Sequence, residues 1–239
     1  GYTLVCLIFL LILCLAASVI RRQSLVAWML ISFLSVLGFY TIPIMLYPFV
    51  VVVVWLFLSI LLADSATRRM ALFWGLCVSF VATVVATFLL YAPVLASNGL
   101  ESVIGNRFVA PKPWTDFVGQ FPSSLLSVWN QWNRDVSWTM SILFAVGFFV
   151  SLVFHSRLSR FRVSVVIGVV LGVIPAIVAQ RVVPYERVWL FLFPLYVGLA
   201  SAGIILLFAF MAGEGFGQSL ALPLLSLSLS IWLSVNTVR

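Results

Sequence analysis

From Leu25 to Ala63 the chain runs without one charged side chain. At 1.5 Å per residue a single helix over that run would reach nearly twice the ~30 Å of a bilayer's hydrocarbon core, which about 20 apolar residues suffice to cross. The run must therefore fold back on itself. The turn falls in "LGFYTIPIMLYPF", Leu37–Phe49, where Pro43 and Pro48 each remove a backbone donor and disfavour helix in the residue before them. Tyr40, Thr41 and Tyr47 are the polar groups gathered there, as suits a wet membrane edge.

The same reasoning divides the rest of the chain. Crossings are expected at 2–20, 24–40, 44–63, 70–92, 138–155, 162–180, 187–210 and 218–235, leaving one sizeable loop. Runs such as "VVVVWLFLSILLA" are apolar on every face, which excludes the alternating pattern of membrane strands. Hydrophobic residues make up 64% of the chain and charged residues 8%, against about a quarter charged in soluble domains. The expected fold is all-α: a polytopic transmembrane helix bundle of about eight spans in three parts. These are 1–92 with four helices, 93–137 as an external loop carrying an amphipathic interfacial helix, and 138–239 with four more.

Arginines supply the orientation. Arg21 and Arg22, then Arg68 and Arg69, then Arg157, Arg160 and Arg162 fall in turns on one side of the alternation, which the positive-inside rule assigns to the cytoplasm. The formal charge of +7 thus marks topology and calls for no nucleic-acid partner; the partner it implies is the lipid bilayer. "FYTIP", the long loop and "QRVVPYER" fall on the other side. In the loop, "FPSSLLSVWNQW" places Pro122 where a first helical turn tolerates it and spaces Leu125, Leu126, Trp129 and Trp132 as a helix would. Its tryptophans form either an interfacial belt or a platform for sugar rings or a lipid headgroup.

Enzyme motifs of soluble proteins are absent: the sequence has no phosphate-cradling glycine loop, no zinc-ligand spacing and no serine–histidine arrangement. Cys6, Cys14 and Cys77 lie within apolar spans as packing residues, and the single histidine, His155, flanks a basic turn. Polar candidates collect at the outer edge: Tyr40, Thr41 and Tyr47; Glu101, Arg107, Lys112, Asp116, Arg134 and Asp135; and Arg181, Tyr185, Glu186 and Arg187 in "QRVVPYERVW". Two arginines in this one very short outer turn, Arg181 and Arg187, run against the positive-inside preference. Either Arg187 pairs with a carboxylate or snorkels to headgroups, or an arginine fork there binds a phosphate at the membrane edge.

The pairing of "LGFYTIPIMLYP" at a helix break with "PYERVWLFLFPLYVGLASAG" opening a late span resembles the membrane glycosyltransferases of the GT-C superfamily, in particular bacterial family 39-like proteins. The resemblance implies transfer of a sugar from a polyprenyl-phosphate carrier to an acceptor on the outward face of the bacterial inner membrane. It gives Arg187, with Arg181 second, the carrier phosphate, and gives Tyr40 and Thr41 a contact with the sugar or the cavity wall; Tyr185 and Glu186 of the outer polar cluster and Trp132 of the aromatic platform complete the candidate substrate contacts. It places the catalytic carboxylate in an external loop upstream of Gly1, so the chain is expected to be the C-terminal membrane portion of a longer enzyme. Within this chain Asp116 and Asp135 are the candidates for the catalytic carboxylate, or else acceptor or metal contacts, a divalent cation being allowed and no other cofactor implied. A polytopic transporter, a lipid flippase and a noncatalytic membrane subunit are the competing readings.

Overall fold

The computed structural model describes residues 1–99 and 111–212. Among them every regular element is helical and no strand is present. The helices are α1 (Tyr2–Arg22), α2 (Leu25–Thr41), α3 (Leu46–Leu61, preceded by a 3₁₀ turn at Pro43–Met45) and α4 (Ala66–Asn98). They continue with α5 (Trp114–Trp132), α6 (Trp138–Val153), the short α7 (His155–Leu158), α8 (Val165–Gln180) and α9 (Phe193–Ala212), the last entered through a 3₁₀ segment at Glu186–Leu192.

Four stretches are long and apolar enough to cross a membrane: Tyr2–Arg22, Pro43–Leu61, Ala66–Ser97 and Glu186–Phe210. The apolar helices Leu25–Thr41, Trp138–Val153 and Val165–Gln180 are shorter. Among the described residues the chain is thus all-helical, with four stretches of the length and composition of an integral membrane protein's crossings. The expected crossing at 218–235, and the loop residues Glu101 and Arg107, lie outside the described residues.

Serines start the helices. Ser24, Ser65, Ser137 and Ser164 each accept a hydrogen bond from the first turn of the helix that follows, meeting one of the four amide groups that a helix start leaves without a partner. Gln23 closes α1 in the left-handed region, φ 52°, with its N–H on the Val19 carbonyl. Between α2 and α3 the chain turns where the prolines dictate: Ile42, before Pro43, is extended at φ −156°, and Pro48 fits the first turn of α3.

Two compact units divide the chain. The first comprises residues 1–126 and 161–191, the second 127–160 and 192–239. In the first unit α3 is the central helix, packed against α1, α4 and α8, with Val51, Val52, Trp55, Leu56 and Ile60 buried. Helix α1 contributes Val5, Ile8, Phe9, Ile12, Ala16 and Val19, spaced to form one face. The opposite faces are also apolar: on α4, Trp74, Val78, Val81, Val85, Phe88 and Leu89 are all exposed. A soluble helix would be polar there, so this is a lipid-facing surface.

Close helix contacts are made by glycine. Gly168 and Gly172 on α8 lie against α3, where an added Cβ would meet the Val51 carbonyl oxygen at 2.8 Å and Val50 Cγ1 at 2.9 Å. Polar contacts in the first unit are few and local: the Ser32 and Ser79 hydroxyls share a 2.6 Å hydrogen bond between α2 and α4. In the second unit α6 and α9 pack tightly along Gly147, Ala200, Gly203 and Ile204.

Two elements differ from expectation. Helix α4 continues through Pro93 to Asn98, beyond the boundary drawn at residue 92, because a proline forfeits only the bond to the carbonyl four residues earlier and the helix resumes. Helix α5 starts at Trp114, so Pro122 lies in its interior rather than in its first turn. Asp116 in that first turn favours the earlier start electrostatically. The buried side of α5 carries Phe117 and Val128, whereas Leu125 and Leu126 are exposed.

Candidate functional site

The two ends of the first unit are built from different chemistry. At one end arginines close the helices. Arg68 donates to the carbonyls of Ile20 and Arg21, the last of α1, and Arg69 donates to Ala63 at 3.1 Å. Arg162 donates to Leu62 at 2.8 Å and pairs with Asp64 at 2.6 Å, while Arg21 lies over the Phe161 ring at 5.2 Å. Trp55 Nε1 donates to the Val163 carbonyl at 2.9 Å. Guanidinium groups here satisfy carbonyls that helix ends leave orphaned and offset the negative end of the dipole. Arg21, Arg68, Arg69 and Arg162 are thereby gathered at one end of the first unit.

At the other end lie the groups singled out from the sequence. Thr41 Oγ1 donates to Leu37 at 2.8 Å, so its hydroxyl serves the last turn of α2. Tyr47 donates its phenol proton to Gln180 Oε1 at 2.9 Å, tying the start of α3 to the end of α8. Tyr40 is exposed, its ring edge-on to Tyr91, whose hydroxyl donates to Phe39 at 2.9 Å.

Arg181 follows Gln180 directly and ends α8 in the left-handed region at φ 53°, one of two non-glycine residues there among the described residues. Such a conformation is uncommon for a side chain with Cβ and needs support from its surroundings. Support comes from the chain ahead of α5: the Lys112 N–H donates to the Arg181 carbonyl at 2.9 Å. The Arg181 guanidinium lies over Trp114 at 5.8 Å from the ring centre, within cation–π range. Lys112 Nζ donates to Gln120 Oε1, and Ser124 donates to the Pro184 carbonyl at 3.3 Å. Two cations and an indole ring are thus held at the end of α8, and among the described residues no carboxylate pairs with Arg181.

The remaining candidates are dispersed. Arg187 is exposed, and no ion pair holds its guanidinium among the described residues. Tyr185 is exposed and Glu186 half-buried, and both already have interaction partners. Asp116 is exposed and accepts from the Thr115 hydroxyl at 3.3 Å. Asp135 is exposed in the turn after α5, in the second unit. Trp132 also belongs to the second unit, stacked on Tyr196 with ring centres 5.7 Å apart. Among the described residues no three His, Cys, Asp or Glu side chains come together as a metal site.

Sequence reasoning missed Gln180, Tyr91, Tyr196 and the glycine contacts. Gly168 and Gly172 stand four apart in "GVVLG", a small-residue spacing that signals close membrane helix packing. Nothing in the sequence distinguishes Tyr196 from other aromatics of the apolar spans. Compared with protein-family models, curated proteins and solved structures, the chain matches none.

Proposed function

We propose that this chain is the membrane portion of a glycosyltransferase that takes its sugar from a polyprenyl-phosphate carrier, and that Arg181 receives the carrier phosphate. The observation that carries the reading is the restrained guanidinium of Arg181 beside Trp114, without an ion pair among the described residues, with Lys112 bonded to its backbone. A planar, permanently charged fork whose rotamer is limited by an indole face loses little entropy when it takes two phosphate oxygens. Arg181 therefore replaces Arg187 as first candidate. As the acceptor oxygen attacks the anomeric carbon, the bond to the carrier phosphate breaks and negative charge grows on the departing oxygen. A fixed cation lowers the energy of that charge, while a carboxylate takes the acceptor's proton. Asp116, exposed in the first turn of α5, is the carboxylate proposed for this role, since Asp64 in the same unit is paired with Arg162 and Glu186 already has an interaction partner.

The topology that goes with this reading has about eight crossings. Its arginine-capped end faces the cytoplasm of a bacterial inner membrane, and α5 lies at the outward surface. Cysteine accessibility at position 116 from the outer side checks the orientation.

Binding of decaprenyl phosphate to the chain in nanodiscs tests the phosphate assignment. Arg181→Gln is expected to weaken it at least tenfold, Arg181→Lys to restore part of the loss, and Arg187→Gln to change it little. Equal binding by Arg181→Gln and the parent chain would refute the assignment. Carrier binding without sugar transfer in the full-length protein would favour a flippase or a noncatalytic subunit.

A further inference from the structure

Among the described residues of the second unit two polar atoms are buried without a hydrogen-bond acceptor: the Tyr196 hydroxyl and Trp132 Nε1. They belong to rings stacked on each other at an interplanar angle of 29°. Tyr196 is only 8% exposed. The surroundings are aromatic: Trp129 is edge-on to Tyr196 at 6.0 Å, Phe148 lies 5.4 Å from it, and Phe193 is edge-on to Trp132 at 5.6 Å. The nearby amide Asn133 Nδ2 is a donor and is already used on the Trp129 carbonyl. Both ring donors thus lack an acceptor among the described residues, an arrangement that costs free energy until one is supplied.

We propose that Trp132 and Tyr196 form a two-donor site for the uncharged oxygens of an amphiphile's headgroup, a sugar ring or a glycerol ester. The donors call for acceptor oxygen. Neutrality follows from the setting, since an anion here would be buried among aromatic rings, and among the described residues no guanidinium lies over either ring. The ring faces suit the C–H surface that both headgroups carry beside their oxygens. Such a site serves a transferase, a flippase or a lipid-bound subunit alike, so it goes beyond the transferase reading, and its test reads binding rather than transfer.

The probe is the indole N–H resonance of Trp132 in ¹⁵N-tryptophan-labelled protein, assigned by its loss in Trp132→Phe, in nanodiscs of diether phosphatidylcholine that hold no ester carbonyl. Titration with octyl glucoside or with monoolein is expected to move the resonance downfield and to saturate. Tyr196→Phe, which keeps the ring, is expected to weaken that binding about tenfold, the factor of one lost hydrogen bond. A response to octyl glucoside alone identifies a sugar headgroup, and to monoolein alone a glycerol ester. Three results overturn the proposal: no response to either probe, an equal response to octyltrimethylammonium, which carries no acceptor oxygen, or undiminished binding by Tyr196→Phe. If Tyr196→Phe were to lose its fold, protection of the parent chain and of Trp132→Phe from thermal unfolding by the same probes supplies the comparison, equal protection of the two overturning the site.

Discussion

Adding one methyl group at Gly203 should pull α6 and α9 apart. Its Cβ would fall 1.8 Å from the Gly147 carbonyl oxygen, 2.7 Å from that carbonyl carbon and 2.9 Å from the Ser151 nitrogen. All three are backbone atoms, so no side chain can rotate out of the way. Carbon and carbonyl oxygen come no closer than about 3.3 Å even in a C–H···O contact, and α9 must therefore retreat by about 1.5 Å at this crossing. A gap of 0.5–1 Å already forfeits a quarter to a half of a van der Waals well, and overpacking of a tight core costs about 1–3 kcal/mol, so about 3 kcal/mol is expected here. Helix propensity acts in the other direction, alanine being better than glycine by about 1 kcal/mol. Gly198 in the same helix isolates the clash, because nothing lies within 4 Å of its added Cβ. Gly198→Ala gains the propensity term alone, so the two variants should differ by about 3 kcal/mol. Equilibrium unfolding by SDS titration in mixed micelles, followed by tryptophan fluorescence, measures that difference. If Gly203→Ala proved as stable as Gly198→Ala, the close approach of the two helices, and the reasoning from it, would be wrong.

Other perturbations follow from single contacts. Gly168→Val places a branched side chain against the Val51 carbonyl and Trp55, and should destabilise the α3–α8 pair by about 2–3 kcal/mol in the same unfolding assay. Trp55→Phe leaves the Val163 carbonyl without its indole donor, an expected loss of about 1–2 kcal/mol beyond any change in packing, and Val163→Ala should cost less because the backbone bond remains. Ser79→Ala removes bonds to Ser32 and to the Trp28 carbonyl and should cost about 0.6 kcal/mol, as interhelical hydroxyl bonds in membranes do. Asp64→Asn breaks an ion pair whose side chains are 65% and 71% exposed, and its effect should stay below about 1 kcal/mol and shrink further in high salt.

Helix positions were legible because apolar run length, cut by prolines and arginine-bearing turns, marks where helices begin and end. The turn at Pro43 falls where span length and two prolines require it, and α1, α2, α6 and α8 begin and end within a few residues of the hydropathy limits. The start of α5 was not legible, since Pro122 reads as a helix start and nothing in "KPWTDFVGQ" outweighs that signal except the acidic first turn. Close packing was legible in principle at Gly168 and Gly172, but the contact of Gly147 with Gly203 joins positions far apart in sequence. No spacing rule within one helix reveals such a pair.

Polar groups were harder to read because type and location fix where a side chain can act but not what it touches. Thr41 and Arg187 looked alike as outer-edge candidates. Thr41 spends its proton on the carbonyl of its own helix, and Arg187 is exposed without an ion pair among the described residues. Arg181 is distinguished by its backbone. A residue in the left-handed region turns its side chain away from the helix face it would otherwise continue, and the bond from Lys112 fixes that turn from a segment nearly seventy positions earlier. The arginines at the opposite end differ in a second respect: Arg68 donates to the last turn of α1, and Arg69 and Arg162 donate to the carbonyls of Ala63 and Leu62 in the turn after α3. The same residue type thus donates to main-chain carbonyls at one end of the unit, while at the other Arg181, itself the end of a helix, is turned by its left-handed backbone onto the Trp114 ring.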